Sequence, residues 1–265
     1  MSQAEGAAAG WNPAQYLKFA DLRLRPALDL LARVDLTAPA RVVDLGCGAG
    51  NVTALLARRW PAARLTGVDS SAEMLARARA AVPSAEFVAA DIGSWQPEQP
   101  VALIFSNAAL HWLDAHERLF PALLDRLAPG GVLAVQMPRN HQAPSHRAMV
   151  EAAEAGPWAA RLRPLLRQNP VAPSERYYDI LNPHAATLDI WEAEYLQALS
   201  GDNPVKEFTK GSALKPLLDA LEVEQRAAFE QDYAGRVRRA YPPRADGRTL
   251  FPFRRLFIVA TRRQA

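Results

Sequence analysis

Three aspartates stand where successive predicted strands end, and they are the residues in this chain best placed to do chemistry. Asp44 ends an apolar run of β-branched residues, Asp69 ends the second such run, and Asp91 ends the third. The carboxyl ends of parallel strands meet at one edge of a sheet, so these carboxylates are expected to line one crevice. Such a crevice favours a ligand that carries net positive charge.

A glycine-rich turn directly follows Asp44. Gly46, Gly48 and Gly50 alternate with small residues, and a helical pattern begins just after them. A strand, a tight turn and a helix start allow a nucleotide-sized ligand to approach bare backbone. The dinucleotide fingerprint fits poorly, because its third small residue belongs at position 51, where this chain has Asn51. A pyrophosphate would also meet like charge at Asp44.

S-adenosylmethionine suits both the nucleotide-sized turn and the acidic crevice, because it carries a sulfonium and an ammonium against one carboxylate. We predict that Asp44 interacts with the ammonium end, directly or through water. Asp69 lies about 20 residues after the turn and is expected to accept hydrogen bonds from the ribose hydroxyls. Asp91 is expected to accept from the exocyclic amine of adenine. The other predicted cofactor contacts are Gly46, Gly48, Gly50, Ser70, Met74, Ile92 and Asn107, with Tyr16 and Arg25 from the N-terminal segment.

Composition limits the partners and the compartment. The 265 residues, 49% of them hydrophobic, suffice for one large α/β domain or two small ones. The net charge is only +3 and the basic residues lack interleaved aromatic residues, which argues against a nucleic-acid partner. No run approaches a membrane span and no signal peptide is recognisable, so neither a membrane partner nor export is expected, and the expected compartment is the cytoplasm.

Neither the cysteine nor the histidines indicate a metal site. Cys47 is the single cysteine, so the chain cannot form an internal disulfide or a Cys-rich metal site. Three of the five histidines are scattered without metal-ligand spacing and are expected to be exposed on helices or loops; they are His116, His146 and His184. We therefore expect no metal.

Alternating strand and helix patterns from position 42 to 136 predict βαβ units, right-handed crossovers and a doubly wound α/β sheet. Strands are predicted at 41–45, 64–68, 86–89, 101–106 and 131–136, and helices over 52–60, 72–81 and 115–127. Before the sheet, 13–34 predicts one or two helices that can act as a lid. Beyond it, a helix over 145–155 and irregular chain precede a strand at 187–195, helices over 213–221 and 224–239, and a last strand at 255–261.

With these segments assembled, the chain resembles the class I S-adenosylmethionine-dependent methyltransferases. The motifs that carry this resemblance are Val43–Gly50, Gly67–Ser71, Ala90–Ile92 and Leu127–Gly131. A narrower resemblance, over nearly the whole chain, is to the family of trans-aconitate 2-methyltransferases. It rests on residues 11–13, 16–17, 23–26, 60–64, 133–138, 177–181 and 256–260, whereas 161–173 departs from the family pattern.

The resemblance implies a Rossmann-like, mostly parallel seven-stranded sheet with an antiparallel last strand, a helical N-terminal arm and a helical insertion. It implies one domain over 1–265, with a lid arm over 1–34 and substrate-side cap segments over about 138–186 and 200–245. The activity that it implies is transfer of a methyl group to one carboxylate of trans-aconitate, a small anionic tricarboxylate, to give a monomethyl ester.

A carboxylate acceptor needs no general base, because it is already ionised near neutral pH. Basic residues are expected to clamp the carboxylates that do not react, where arginine offers bidentate geometry. The clamp candidates are Arg255, Arg139 and His141, with Tyr177 and Tyr178 as hydrogen-bond donors. The alternatives are a surface ion pair for Arg255, solvation for Arg139 and a core position for the tyrosines.

An aromatic pair follows the fourth predicted strand, where ligands bind in sheets of this kind. His111 and Trp112 are expected to wall the transfer site, since an aromatic ring near a sulfonium gains cation–π attraction. The alternative for Trp112 is an anchor for the helix that follows.

Other functions remain open at this point. One keeps the cofactor and methylates a malonyl group on an acidic carrier protein, for which the cluster Arg236, Arg238 and Arg239 would be the docking patch. Another is a regulatory module that binds S-adenosylmethionine without turnover. A nicotinamide dehydrogenase would require Asp44 to tolerate a pyrophosphate.

Overall fold

The computed structural model of the chain describes residues 20–167 and 170–264. The strands are β1 Arg41–Leu45, β2 Arg64–Asp69, β3 Glu86–Ala89, β4 Val101–Asn107, β5 Leu127–Pro138, β6 Ala185–Leu199 and β7 Thr249–Arg262. The helices are α1 Ala20–Leu31, α2 Asn51–Arg59, α3 Ala72–Ala81, α4 His116–Asp125, α5 Pro144–Ala155, α6 Ala159–Leu162, α7 Ser174–Leu181, α8 Pro204–Lys210, α9 Lys215–Asp219 and α10 Val223–Ala240. Single 3-10 turns lie at Leu110–Trp112 and Arg163–Leu165.

The strands form one seven-stranded sheet in the order β3-β2-β1-β4-β5-β7-β6. Strands β1 to β5 pair in parallel, and β7 pairs antiparallel with β5. The predicted α/β sheet with an antiparallel last strand is therefore confirmed. The strand order reverses between β1 and β4, which makes their carboxyl ends the switch point where ligands bind in open α/β sheets.

Contacts divide the described chain into two compact units. The sheet unit comprises 21–139, 170–194 and 254–264, and its core includes Leu45, Ile104 and Phe120. The helical unit comprises 140–167 and 195–253, and its core includes Phe229 and Phe251. The single domain with cap segments stays a prediction. No helix among the described residues is both long enough and apolar enough to cross a membrane.

The predicted and observed elements differ most around β5. Helix α4 ends at Asp125 rather than 127, and β5 begins at Leu127 rather than 131. Leu127 pairs with Val101, after which the register shifts before the ladder resumes at Leu103 and Val132. The chain thus enters the sheet before Pro129, Gly130 and Gly131. These three residues interrupt the pairing of β5 with β4 instead of preceding it.

Candidate functional site

The segments that follow four strands meet at the glycine-rich turn after β1. A Cβ added to Gly46 would lie 2.2 Å from the Cβ of Ala109, which follows β4, and 3.7 Å from Cδ1 of Ile92, which follows β3. The N–H of Gly48 donates to Oδ2 of Asp69, at the end of β2, at 2.9 Å. The sequence segments predicted to share one crevice therefore do lie together at the carboxyl edge of the sheet.

The turn requires glycine for conformation and for space. Gly46, Gly48 and Gly50 have φ values of +82°, +53° and +84°, in the left-handed region that side chains disfavour. A Cβ on Gly50 would also come within 3.0 Å of the backbone of Ala78 on α3. The turn therefore presents bare backbone beside the helix start, as the motif predicts.

Asp44 is a buried carboxyl group beneath this turn. It is 1% exposed, and the hydroxyl of Thr53 donates to its Oδ2 at 2.6 Å. The pKa of Asp44 is raised to about 7, mainly by burial; the hydrogen bond from Thr53 opposes this rise, and the charge of Asp69 adds to it. A cation bound nearby would favour the ionised form. Thr53 was not among the predicted site residues, because its only signal in the sequence is a polar residue on the buried face of α2.

The two other acids hold local turns and retain capacity to accept hydrogen bonds. Asp69 accepts from the backbone N–H of Ser71 at 2.9 Å, in addition to Gly48. Asp91 accepts from the N–H of Gly93 at 3.2 Å and from the hydroxyl of Ser94 at 2.9 Å, and these bonds hold the pKa of Asp91 below its usual value. A carboxylate has about four lone-pair sites, so both groups still have acceptor capacity.

The remaining cofactor candidates differ in their surroundings. Met74 is buried, Ile92 is half-buried, and Ser70 and Arg25 are exposed. Tyr16 lies outside the described residues. Oδ1 of Asn107, the last residue of β4, is buried and has no hydrogen-bond partner among the residues that the structure describes.

This set of groups fits S-adenosylmethionine. A buried carboxyl group at Asp44 and an unpaired buried acceptor at Asn107 suit a ligand that brings both positive charge and N–H donors. The glycine turn leaves room for a ligand against its backbone.

The aromatic pair lies on the 3-10 turn that follows β4. The rings of His111 and Trp112 are 4.8 Å apart, and Trp112 is 40% exposed. Ala108, which connects β4 to this turn, has a φ of +55°, an uncommon conformation for a residue with a side chain. The pair is thus on the carboxyl edge of the sheet, as predicted.

The two arginines predicted to form the clamp lie at the end of β5. Arg255 on β7 is 3% exposed, its Nη1 donates to Oε1 of Gln136 at 3.4 Å, and it pairs in register with Pro138. Arg255 is therefore not a surface residue, as the alternative of a surface ion pair would require. Arg139 follows Pro138 and forms an ion pair with Glu192 at 2.7 Å, so it is not merely solvated. Gln136, another residue missed from sequence, has a buried Nε2 without a partner among the described residues.

Tyr177 is a core residue, which was the alternative to its predicted contact with substrate. It is fully buried, and its hydroxyl lies 2.7 Å from Nδ1 of His116. That hydroxyl is therefore committed within the protein, whereas Tyr178 is 52% exposed. The expectation that His116 is exposed was wrong, because α4 turns its first residue into the core, while His184 is exposed as expected.

His141 belongs to the helical unit and cannot supply positive charge at neutral pH. Burial, and after it the charge of Arg167, lower the pKa of His141 to about 4. Burial also lowers the pKa of His146, whose ring lies 5.2 Å from that of His141, to about 3. A neutral His141 can act only as a hydrogen-bonding group.

The predicted docking patch for an acidic carrier is largely neutralised. Arg236 pairs with Asp232 and with Glu151, each at 3.1 Å, and Arg238 pairs with Asp202 at 2.6 Å. These acids compensate two of the three arginines on which that alternative depended.

Comparison with known proteins identifies the family. A family model described as "Methyltransferase domain" matches residues 42–131. The trans-aconitate 2-methyltransferase of Azoarcus sp. (strain BH72) is 53% identical over 252 residues, which are 95% of this chain and 99% of that protein. The enzyme of the same name from Methylobacterium nodulans is 51% identical over 255 residues, 96% of this chain and 99% of that protein.

Among solved structures, the YcgJ protein of Bacillus subtilis matches with a TM-score of 0.58 and 16% identity over 91% of this chain and 100% of its own, a likeness of fold. The fold, the glycine turn with its three acids, and identity of about half over nearly the full length agree, and this chain belongs to the trans-aconitate 2-methyltransferase family.

Proposed function

We propose that this chain transfers a methyl group from S-adenosylmethionine to one carboxylate of trans-aconitate and releases the monomethyl ester. The observation that carries the choice of acceptor is 53% identity, over 95% of this chain, to a protein named trans-aconitate 2-methyltransferase. The buried acid and glycine turn at the carboxyl edge of the sheet support the cofactor half of the proposal.

S-adenosylmethionine, when bound, supplies an electrophilic methyl group on a positively charged sulfur. In this proposal Asp44 and Asn107 receive the ammonium end, Asp69 the ribose and Asp91 the adenine. The exposed ring of Trp112 suits a position beside the sulfonium, where a ring face attracts a cation.

The acceptor carboxylate has an ordinary pKa of about 4, so it needs no base from the protein. The work of the chain is to align the acceptor oxygen and to exclude water. Charge is annihilated during transfer, so a cation paired with the attacking carboxylate would slow the reaction. The basic residues should therefore hold the carboxylates that do not react.

Arg255 is the best-supported clamp, because it is a buried guanidinium beside the amide of Gln136. Arg139 is a second candidate, which would have to exchange its ion pair with Glu192 for a substrate carboxylate. Tyr178 and His141 stay candidates for neutral hydrogen bonds, and a cytoplasmic enzyme without a nucleic-acid or membrane partner stays a prediction.

Transfer of a labelled methyl group to a panel of acids tests the proposed activity. The panel contains trans-aconitate, cis-aconitate, isocitrate and a malonyl thioester. We expect trans-aconitate to be the preferred acceptor and its labelled product to be hydrolysed by mild base, as an ester is. Preferential labelling of the malonyl thioester, or a base-stable product, would reject the proposal.

Arg255→Lys tests the clamp. Lysine keeps the charge but not the bidentate fork, so kcat/KM for trans-aconitate should fall by about 10- to 100-fold while the Kd for S-adenosylmethionine changes little. The matched control is Arg64→Lys, since Arg64 is an exposed arginine at the start of β2 and pairs only on the surface, with Glu86. An equal effect of the two substitutions would remove Arg255 from the site.

A further inference from the structure

A buried chain of hydrogen bonds connects α7, the start of α4 and the turn that follows β4. Nδ1 of His116 lies 2.7 Å from the hydroxyl of Tyr177, and Nε2 of His116 lies 3.0 Å from the carbonyl oxygen of Leu110. His116 is 7% exposed, and Tyr177 and Leu110 are fully buried. All three residues belong to the sheet unit.

The direction of each hydrogen bond follows from the groups involved. A carbonyl oxygen only accepts, so Nε2 of His116 must carry the proton and donate to Leu110. In the neutral ring Nδ1 is then an acceptor, and the hydroxyl of Tyr177 donates to it. The backbone of Ala172 also bonds that hydroxyl. The carbonyl of Leu110 thus fixes the tautomer of His116, and the bonds to Leu110 and Tyr177 together fix its orientation.

The segment that these hydrogen bonds hold in place needs support from surrounding contacts. Ala108 and Ala115, which flank the Leu110–Trp112 turn, have φ values of +55° and +54°. The left-handed conformation is unfavourable for a residue with a side chain, and it persists where surrounding contacts enforce it. Leu110 accepts from the backbone of Leu113 at 3.0 Å and, through the same carbonyl, from His116.

We propose that His116 and Tyr177 are positioning residues for methyl transfer, which hold the Leu110–Trp112 turn and thereby place His111 and Trp112 at the transfer site. The inference rests on the proposed function of that aromatic pair. The edge-on and tilted ring contacts of His116 and Tyr177 with Phe120 give these hydrogen bonds a rigid base, at ring distances of 5.2 and 5.1 Å. Neither positioning residue needs to touch the substrate.

Substitutions that separate the two hydrogen bonds test this inference. His116→Phe removes both bonds, and we expect kcat to fall by about 10- to 100-fold, because a displacement of about 1 Å costs on that order. His116→Gln keeps an amide N–H near Nε2 that can donate to Leu110, and it should restore most of kcat. Tyr177→Phe should lower kcat less than His116→Phe does, and it should add no further loss in the His116→Phe background, because the two residues act in series.

The position of the turn is read directly by 19F NMR of protein labelled with 5-fluorotryptophan, with the Trp112 resonance assigned by Trp112→Phe. His116→Phe should shift or broaden this resonance, and His116→Gln should leave it near its original position. The matched control is His184→Phe, the same change at an exposed histidine, which should alter neither the spectrum nor kcat. Thermal unfolding of each variant confirms that the folded protein is compared.

Three results would overturn the inference: a folded His116→Phe variant with unchanged kcat, equal losses in His116→Phe and His116→Gln, or an unmoved Trp112 resonance. If the wild-type protein fails to methylate trans-aconitate, the proposed function fails on its own. The NMR comparison then still decides whether His116 and Tyr177 hold the turn.

Discussion

At the scale of single residues, Asp44 is subject to opposing influences on one carboxyl group. Burial raises its pKa to about 7, while the hydroxyl of Thr53, 2.6 Å from Oδ2, favours the ionised form. Near neutral pH the free protein therefore contains both protonated and ionised Asp44. Since a bound cation favours the carboxylate and burial disfavours it, cofactor affinity and protein stability should respond to pH in opposite directions.

We expect the affinity for S-adenosylmethionine to fall as the pH is lowered from about 7.5 to about 5.5, because protonation removes the charge of Asp44. Thr53→Val removes the hydrogen bond that favours the carboxylate, so the midpoint of this change should move to higher pH. Equilibrium binding across this range measures both effects. The control ligand is 5′-methylthioadenosine, which lacks the ammonium and the sulfonium and should bind without this pH dependence. If Thr53→Val leaves the midpoint unmoved, the pH dependence does not come from Asp44.

Asp44→Asn should stabilise the free protein at about pH 8 while weakening cofactor binding severely. The folded-state pKa of about 7 lies above the ordinary value of 3.8, so the folded state binds more protons between these values. The stability contributed by the protonated carboxyl is therefore fully present below 3.8 and is lost as the pH rises through about 7. Thermal unfolding should show a Tm gain of about 5 °C at about pH 8 that shrinks at about pH 5.5; a loss of Tm at the higher pH would contradict this account.

The positions of site residues were predictable from sequence where the motif fixes both the residue type and its place. The three acids and three glycines lie where the pattern predicts them, because successive parallel strands bring their ends together. Thr53, His116 and Gln136 act through partners that are distant in sequence or on another element, and no local spacing marks them. Tyr177 was predicted to contact substrate but lies in the core, because a tyrosine that suits a substrate contact is equally suited to a core hydrogen bond.

At the scale of elements, the turn between β1 and α2 depends on packing against the segment after β4. Gly46→Ala should weaken S-adenosylmethionine binding by more than about tenfold and lower Tm, because its Cβ would lie 2.2 Å from that of Ala109 and its φ is +82°. Gly247→Ala is the matched control, since its φ is +77° and nothing lies within 4 Å of the added Cβ. If both substitutions cost only the same small stability, packing at Gly46 is unimportant.

Element boundaries were predictable where periodicity was strong. Strands β1 and β3 and helix α3 have the predicted bounds, whereas α7, with only eight residues, was not predicted at all. A helix of about two turns gives too few apolar repeats to stand out from the irregular chain around it. The proline and glycines after Leu127 predict a helix stop, but the chain has already joined the sheet at Leu127.

At the scale of the whole molecule, the two units should respond differently to ligands. S-adenosylmethionine should slow amide hydrogen exchange in 41–53, 66–75, 89–94 and 105–113 of the sheet unit, because bound ligand suppresses local opening. It should leave exchange in α10 of the helical unit unchanged. Mass spectrometry of peptides with and without the cofactor measures this, and protection confined to α10 would contradict the site.

The same experiment tests the predicted cap. Addition of trans-aconitate to the protein loaded with S-adenosylhomocysteine, which has no methyl group to transfer, should slow exchange in 141–167 or 200–245 if those segments contact the substrate. Unchanged exchange throughout both ranges would reject the cap. Alternation of strand and helix patterns along the chain predicted the parallel sheet, whereas the antiparallel last strand was implied by the resemblance to the family. The sequence did not predict the division into two units, which depends on which helices share a core.

The contact between Gly46 and Ala109 links the evolutionary histories of two positions that are far apart in the chain. Because a side chain at either position competes for the same space, Ala109 should tolerate a larger side chain poorly, although no motif marks it. Selection would then retain a small residue at both positions together. In a library of all single substitutions, enlargement at 109 should be depleted, but less strongly than at 46, where the φ of +82° adds a backbone cost.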